Sequence, residues 1–261
     1  MADSYDSTSV PTAETTFDFN APPAHPPNTS NEPTTLDNYK DLLTRNRRFL
    51  RQESTECPHH LAPCILRETE PLVRKLLYLN DLGLYTISSQ PFEHNPPYHA
   101  PILDDFDRPT DVHLWVERRQ RPFIELLFPC TCFNNDFVTV SKFLSALLAH
   151  EKIFLSYVCH TNKEDVGGNL GQAYDDVLLA DVPVTESRQC ENREDLAEMA
   201  WQDVTGMAPM ISLNPRFVRE IAAFMPFDVH IVARNWEEKL DVLDIAIGAA
   251  TTAGMRPTFK E

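Results

Sequence analysis

The chain has no stretch approaching roughly 18 uncharged apolar residues, which excludes a membrane-spanning helix. It has no excess of basic residues either, since 23 Lys and Arg stand against 39 Asp and Glu, a formal charge of −16. Binding a phosphate backbone or an anionic membrane surface needs clustered Lys and Arg, so nucleic acid and membrane are excluded as partners, while a basic protein partner suits the charge. The opening MADSYDSTSV has no basic segment and no apolar run, so no secretory signal is read there. Six cysteines without such a signal point to a reduced, cytoplasmic protein.

Chemical motifs are equally sparse. The loop TECPHHLAPC holds Cys57, His59, His60 and Cys64, and Cys130, Cys132, Cys159 and His160 are the other residues that could complete a zinc site. No Cys-x2-Cys knuckle occurs, so these are read as buried or incidental thiols and surface histidines, and no metal is expected. Gly167-Gly168-Asn169-Leu170-Gly171 lacks the Lys-Ser/Thr of a phosphate loop and is read as a connector. Cys159 and His160 are neighbours and would face opposite sides of a strand, while His94, His99 and His113 have no paired motif. With no nucleophile, base and acid in view, the chain is not expected to be an enzyme.

What is present is a core. Met1 to about Thr35 is rich in Ser, Thr, Pro, Asp and Asn, which buries too little apolar area to offset chain entropy, so residues 1–35 are read as a disordered tail. Residues 36–261 form a single α+β domain, within a chain that is 42% hydrophobic and 24% charged. Periodicity predicts helices over Leu36 to Arg51, the run after Glu68, Val138 to His150, Asn192 to Val204, Asn214 to Phe224 and Glu237 to Ala253. Asn214 caps its helix and Pro215 fills the first turn. The basic run Arg45, Arg47, Arg48, Arg51 is read as a solvated or acid-paired face. Strands are expected at Leu84 to Ile87, Val112 to Val116, Pro122 to Phe128, Ile153 to Cys159, Val177 to Val184 and Val229 to Ala233. Phe92 to Asp111 reads as a Pro- and Asp-rich loop, and the charged ERRQR as the turn of a hairpin joining Val112–Val116 to Pro122–Phe128. Hairpin, helix and strand in that order predict a mixed β-sheet with flanking helices on one side, an α+β class.

The segment Glu68 to Pro91, ETEPLVRKLLYLNDLGLYTISSQP, organises the rest. Leu72, Val73, Leu76, Leu77 and Leu79 make one apolar stripe, Gly83 closes the helix, and Leu84 to Ile87 continue as a strand stopped by Pro91. Thr86 and Ser89, three apart at the strand's end, bring hydroxyls where sheets commonly meet ligands.

Glu68-Thr69, Asn80, Gly83 and Tyr85-Thr86-Ile87-Ser88-Ser89-Gln90-Pro91 resemble the C-terminal regulatory domain of eukaryotic methylenetetrahydrofolate reductase. Ile124 to Phe128, Val138 to His150, Ile153 to Cys159 and Met199-Ala200-Trp201-Gln202-Asp203 follow in the family's order. The motif is also similar to small bacterial and phage domains. The resemblance runs from about Leu36 onward and implies a domain that binds S-adenosylmethionine, with Glu68, Thr69, Thr86 and Ser89 in the pocket. A carboxylate suits ribose hydroxyls or the ligand's cationic groups, and hydroxyls supply short hydrogen bonds. The chain departs from the family at Leu66, at the Pro-rich Phe92 to Asp111 and at Leu178, and it lacks the roughly 250-residue catalytic barrel. The expectation is a non-catalytic regulatory-type domain that binds S-adenosylmethionine or a related nucleoside and acts through a protein partner or as a homo-oligomer. The alternative is a degenerate scaffold or interaction protein of the same fold with no ligand.

Overall fold

The computed structural model describes residues 35–59, 70–104, 106, 108–129, 137–159, 182–203, 214–224, 226–236 and 240–256. All lie in one compact unit, Pro33–Glu261. The helices are α1 (Thr35–Leu50), α2 (Val73–Asp81, entered by a 3-10 turn Glu70–Leu72), α3 (Phe137–Leu148), α4 (Pro215–Ala222) and α5 (Val242–Thr252). The strands are β1 (Tyr85–Gln90), β2 (Glu93–Leu103), β3 (Pro109–Gln120), β4 (Phe123–Pro129), β5 (Ile153–Cys159), β6 (Thr185–Cys190), β7 (Gln202–Asp203) and β8 (Pro226–Ala233). They build two four-stranded sheets, ordered β1-β4-β8-β5 and β2-β3-β6-β7. The class is α+β. Every pairing among the described strands is antiparallel, where a mixed sheet was expected.

The two sheets share one long hairpin. Gln90 faces Phe123 in the first sheet and Glu93 faces Gln120 in the second, so one register runs through both. Pro91-Phe92 on one arm and Arg121-Pro122 on the other mark the crossing, because a proline cannot donate to the ladder and frees the chain to turn away. The expected hairpin is therefore corrected. Val112–Val116 and Pro122–Phe128 lie on the same arm, ERRQR is strand rather than turn, and the partner of β3 is β2, drawn from the expected loop Phe92 to Asp111. Pro96, Pro97 and Pro101 are tolerated there because β2 is an edge strand.

Helices cover both faces of the first sheet, where one face was expected. On one face Leu84, Ile124, Leu126, Phe128, Val229 and Ile231 pack against Leu76 and Leu79 of α2, Phe143 and Leu147 of α3, and Leu243 and Ala246 of α5. On the other, Tyr85, Ile87 and Leu127 meet Tyr39, Leu42 and Leu43 of α1 and Phe217 and Ile221 of α4. Tyr39 fixes α1 by donating its hydroxyl to the Gly83 carbonyl at 2.8 Å and the Leu127 carbonyl at 3.1 Å. Gly83 takes a φ of 85°, the left-handed turn that ends α2 and starts β1. Asn80 is buried and donates to the Leu43 carbonyl at 3.0 Å while accepting from Asn46 at 3.1 Å. In the basic run of α1, Arg45 pairs with Asp41 and Glu220, and Arg47 with Asp81.

Local signals set the later helices. The Asn214 side chain accepts from the Arg216 amide at 3.0 Å with Pro215 in the first turn, as expected. The last helix begins at Val242 rather than Glu237, because Asp241 caps it by accepting from the Leu243 and Asp244 amides. In place of the helix expected over Asn192 to Val204 there is a 3-10 turn, Arg193–Ala197, followed by β7. Trp201 is drawn instead into a stack of cations on the second sheet. Arg188 lies 4.2 Å and Arg119 4.3 Å from its ring centre, and Arg119 and Arg121 lie 4.8 and 4.2 Å from that of Trp236. Cross-strand carboxylates hold these arginines, Glu186 opposite Arg119 and Glu117 opposite Arg188. The strand expected over Val177 to Val184 falls mostly outside the described residues, and its described end leads into β6.

Candidate functional site

Residues three apart on a regular strand face opposite sides of a sheet. Thr86 and Ser89 do not, because β1 carries a bulge between Thr86 and Ser88. Thr86 faces Leu126 and Ser89 faces Ile124, two residues of the same core face, so both hydroxyls lie on the side covered by α2, α3 and α5. Ile87, the inserted residue, and Ser88, opposite Glu125, turn to the other side. Thr86 is 7% exposed, and its Oγ1 has no hydrogen-bond partner among the described residues. Ser89 is half-buried. Glu68 and Thr69 lie outside the described residues.

The opposite face carries a polar feature not expected from the sequence. Reading across all four strands, Ser88 faces Glu125, Glu125 faces His230, and His230 faces Ser156, a polar row on an otherwise apolar face. Asp228 joins it from the same strand, two residues before His230. Glu125, Asp228 and His230 are 1%, 3% and 4% exposed, and one ligating atom from each lies within 4.8 Å of the others. His230 Nε2 is 2.8 Å from Asp228 Oδ1 and 3.7 Å from Glu125 Oε1. Burial pushes the Glu125 carboxyl up to about 8, with His230 opposing and Asp228 adding to the rise. Burial alone would lower the His230 imidazole, but Asp228 and Glu125 together outweigh it and raise its pKa.

The described part of the Cys/His loop docks beside this face. His59 Nδ1 lies 2.7 Å from the Tyr85 hydroxyl and 3.5 Å from Cys57 Sγ, and its ring packs against Phe217. Complete burial, with the neighbouring Cys57 thiol, raises the Tyr85 phenol well above its ordinary value. His59 is thus a core residue, where a surface histidine was expected. His60, Cys64, Leu66, Cys130, Cys132, His160, the glycine loop at 167–171 and Leu178 lie outside the described residues. Among the described histidines, the ring of His99 stacks on that of His113 at 5.3 Å near the free end of the β2–β3 hairpin. No described helix is long and apolar enough to cross a membrane.

No family model matches this chain, and no curated protein matches it.

Proposed function

We propose that the chain is a non-catalytic regulatory-type domain that binds S-adenosylmethionine or a related nucleoside at the β1 bulge and acts through a protein partner. The observation that carries this reading is the buried Thr86 hydroxyl, which lacks a hydrogen-bond partner among the described residues and shares a face with Ser89. A strand core stabilised only by packing gains nothing from such a hydroxyl, since a buried, unpaired polar group costs about 1–3 kcal/mol. A ligand that accepts from it removes that penalty. The reading takes Glu68 and Thr69, which precede the 3-10 turn into α2 in sequence, as the other side of the pocket. A carboxylate there suits ribose hydroxyls, and the Thr69, Thr86 and Ser89 hydroxyls suit the ligand's polar edge.

The test is thermal unfolding of the wild-type chain and of Thr86→Val with Ser89→Ala, each with and without S-adenosylmethionine. At a hundred times its Kd a ligand selective for the native state adds about 2.7 kcal/mol, roughly 5–10 °C in Tm for a domain of this size. The wild type gains that shift. The double variant loses it while its ligand-free Tm holds or rises, because valine replaces an unsatisfied hydroxyl with a methyl of the same shape. An equal shift in both proteins refutes the site. No shift in either removes the ligand and leaves the scaffold.

A further inference from the structure

We propose that Glu125, Asp228 and His230 form a binding site for one divalent transition-metal ion. The site lies on the face of the first sheet opposite Thr86 and Ser89, so it stands or falls independently of the nucleoside reading. Its three ligands come from β4 and β8, the two inner strands of that sheet, and every residue of β8 is buried. Donors held that way keep their spacing without help from an ion, which is what a preformed site requires.

The spacing fits. Donor atoms about 2.1 Å from an ion in tetrahedral array are separated by roughly 3.4 Å. The edges of 2.8 Å, His230 Nε2 to Asp228 Oδ1, and 3.7 Å, His230 Nε2 to Glu125 Oε1, fall on either side of that value. The 2.8 Å approach is short enough for a hydrogen bond, yet Asp228 Oδ1, on a side chain only 5% exposed, receives none of normal direction. The nitrogen and oxygen converge side by side, as two ligands of a common centre do, rather than head-on as donor and acceptor.

Donor type then selects the ion. Two carboxyl groups and an imidazole, all buried, offer oxygen and nitrogen donors, and an ion that binds displaces the protons they carry. Absence of sulfur in the set argues against copper(I), and the imidazole argues against calcium and magnesium, which favours a divalent transition-metal ion such as zinc or iron(II). Three protein ligands leave a fourth position for water. Ser88 and Ser156, on either side of the row, present hydroxyls to such a water.

The experiment uses the full chain, stripped with chelator, dialysed and titrated with Co2+ followed by Zn2+ in competition. The expected result is one Co2+ per chain, with visible d–d absorption and no thiolate charge-transfer band, displaced by Zn2+. His230→Gln and Asp228→Asn weaken binding by more than about a hundredfold, and His99→Gln with His113→Gln on the exposed hairpin leaves it unchanged. Failure of the wild-type chain to bind Co2+ or Zn2+ at micromolar concentration overturns the proposal. So does a charge-transfer band, which would place the ion on some of the six cysteines. Both of those readings come from wild-type protein, so they hold even if the buried substitutions do not fold.

Discussion

Raising the pH from 5.5 to 8.5 should destabilise the chelator-treated protein, an unusual direction for an acidic chain. In the folded state Glu125 keeps its proton up to about 8, against 4.5 for the unfolded chain, because burial disfavours its anion. Between those values the native state binds the proton that the unfolded state has released, so stability falls by up to 1.36 kcal/mol per pH unit. From 5.5 to about 8 this amounts to roughly 3 kcal/mol, or a fall in Tm of roughly 6–12 °C. His230, also raised, acts with the same sign: its contribution is complete below the unfolded value of 6.5 and is lost as pH climbs through the folded one. The other resolved shifts lie outside this window. Asp104, Glu117 and Glu220 are lowered by their arginine or histidine partners and lose their contribution only as pH falls below about 4.5. Lys75, Arg45 and Tyr85 titrate above about 10. Differential scanning calorimetry across the window reads the slope directly, and Glu125→Gln should flatten most of it while stabilising the protein at pH 8.5. A Tm that is flat or rises with pH, or an unchanged slope in Glu125→Gln, contradicts a buried Glu125 that holds its proton in the folded state.

Two further substitutions probe the fold. Tyr39→Phe removes the donor shared by the Gly83 and Leu127 carbonyls and should lower the stability measured by urea titration by about 1–3 kcal/mol, with the slope against urea unchanged. Trp201→Leu removes the ring between Arg119 and Arg188 and should cost roughly 2–3 kcal/mol. Trp115→Leu, whose ring meets only the more distant Arg193 at 5.3 Å among these contacts, should cost less.

The helices that cover the first sheet were legible because their signals are local, whereas the one expected over Asn192 to Val204 gave way to a 3-10 turn and a strand. The apolar stripe of α2, the positive φ at Gly83 and the Asn214-Pro215 start each follow from a few neighbouring residues. The second sheet was not legible, because its strands break local rules for reasons only the tertiary structure supplies. Three prolines made β2 read as a loop, yet they sit on a sheet edge where no donor is needed. The arginines of ERRQR read as a charged turn, yet Arg119 is stacked between two indoles and faces a carboxylate across the strands. At the candidate site, the pairing of Thr86 with Ser89 was expected from their place at the strand's end and from the resemblance, whereas the bulge is what gives them a common face. The acid–histidine cluster went unseen because it depends on the register between β4 and β8, segments about a hundred residues apart in sequence. A signal was present in each strand: a glutamate inside the apolar IELLF, and Asp228 and His230 alternating in FDVHIV so that both face one side.

Calorimetric titration of S-adenosylmethionine into the wild-type chain reads binding at the bulge face of β1. A saturable heat with one ligand per chain is expected, absent from Thr86→Val with Ser89→Ala. No heat up to millimolar ligand, or the same isotherm in the double variant, would contradict it.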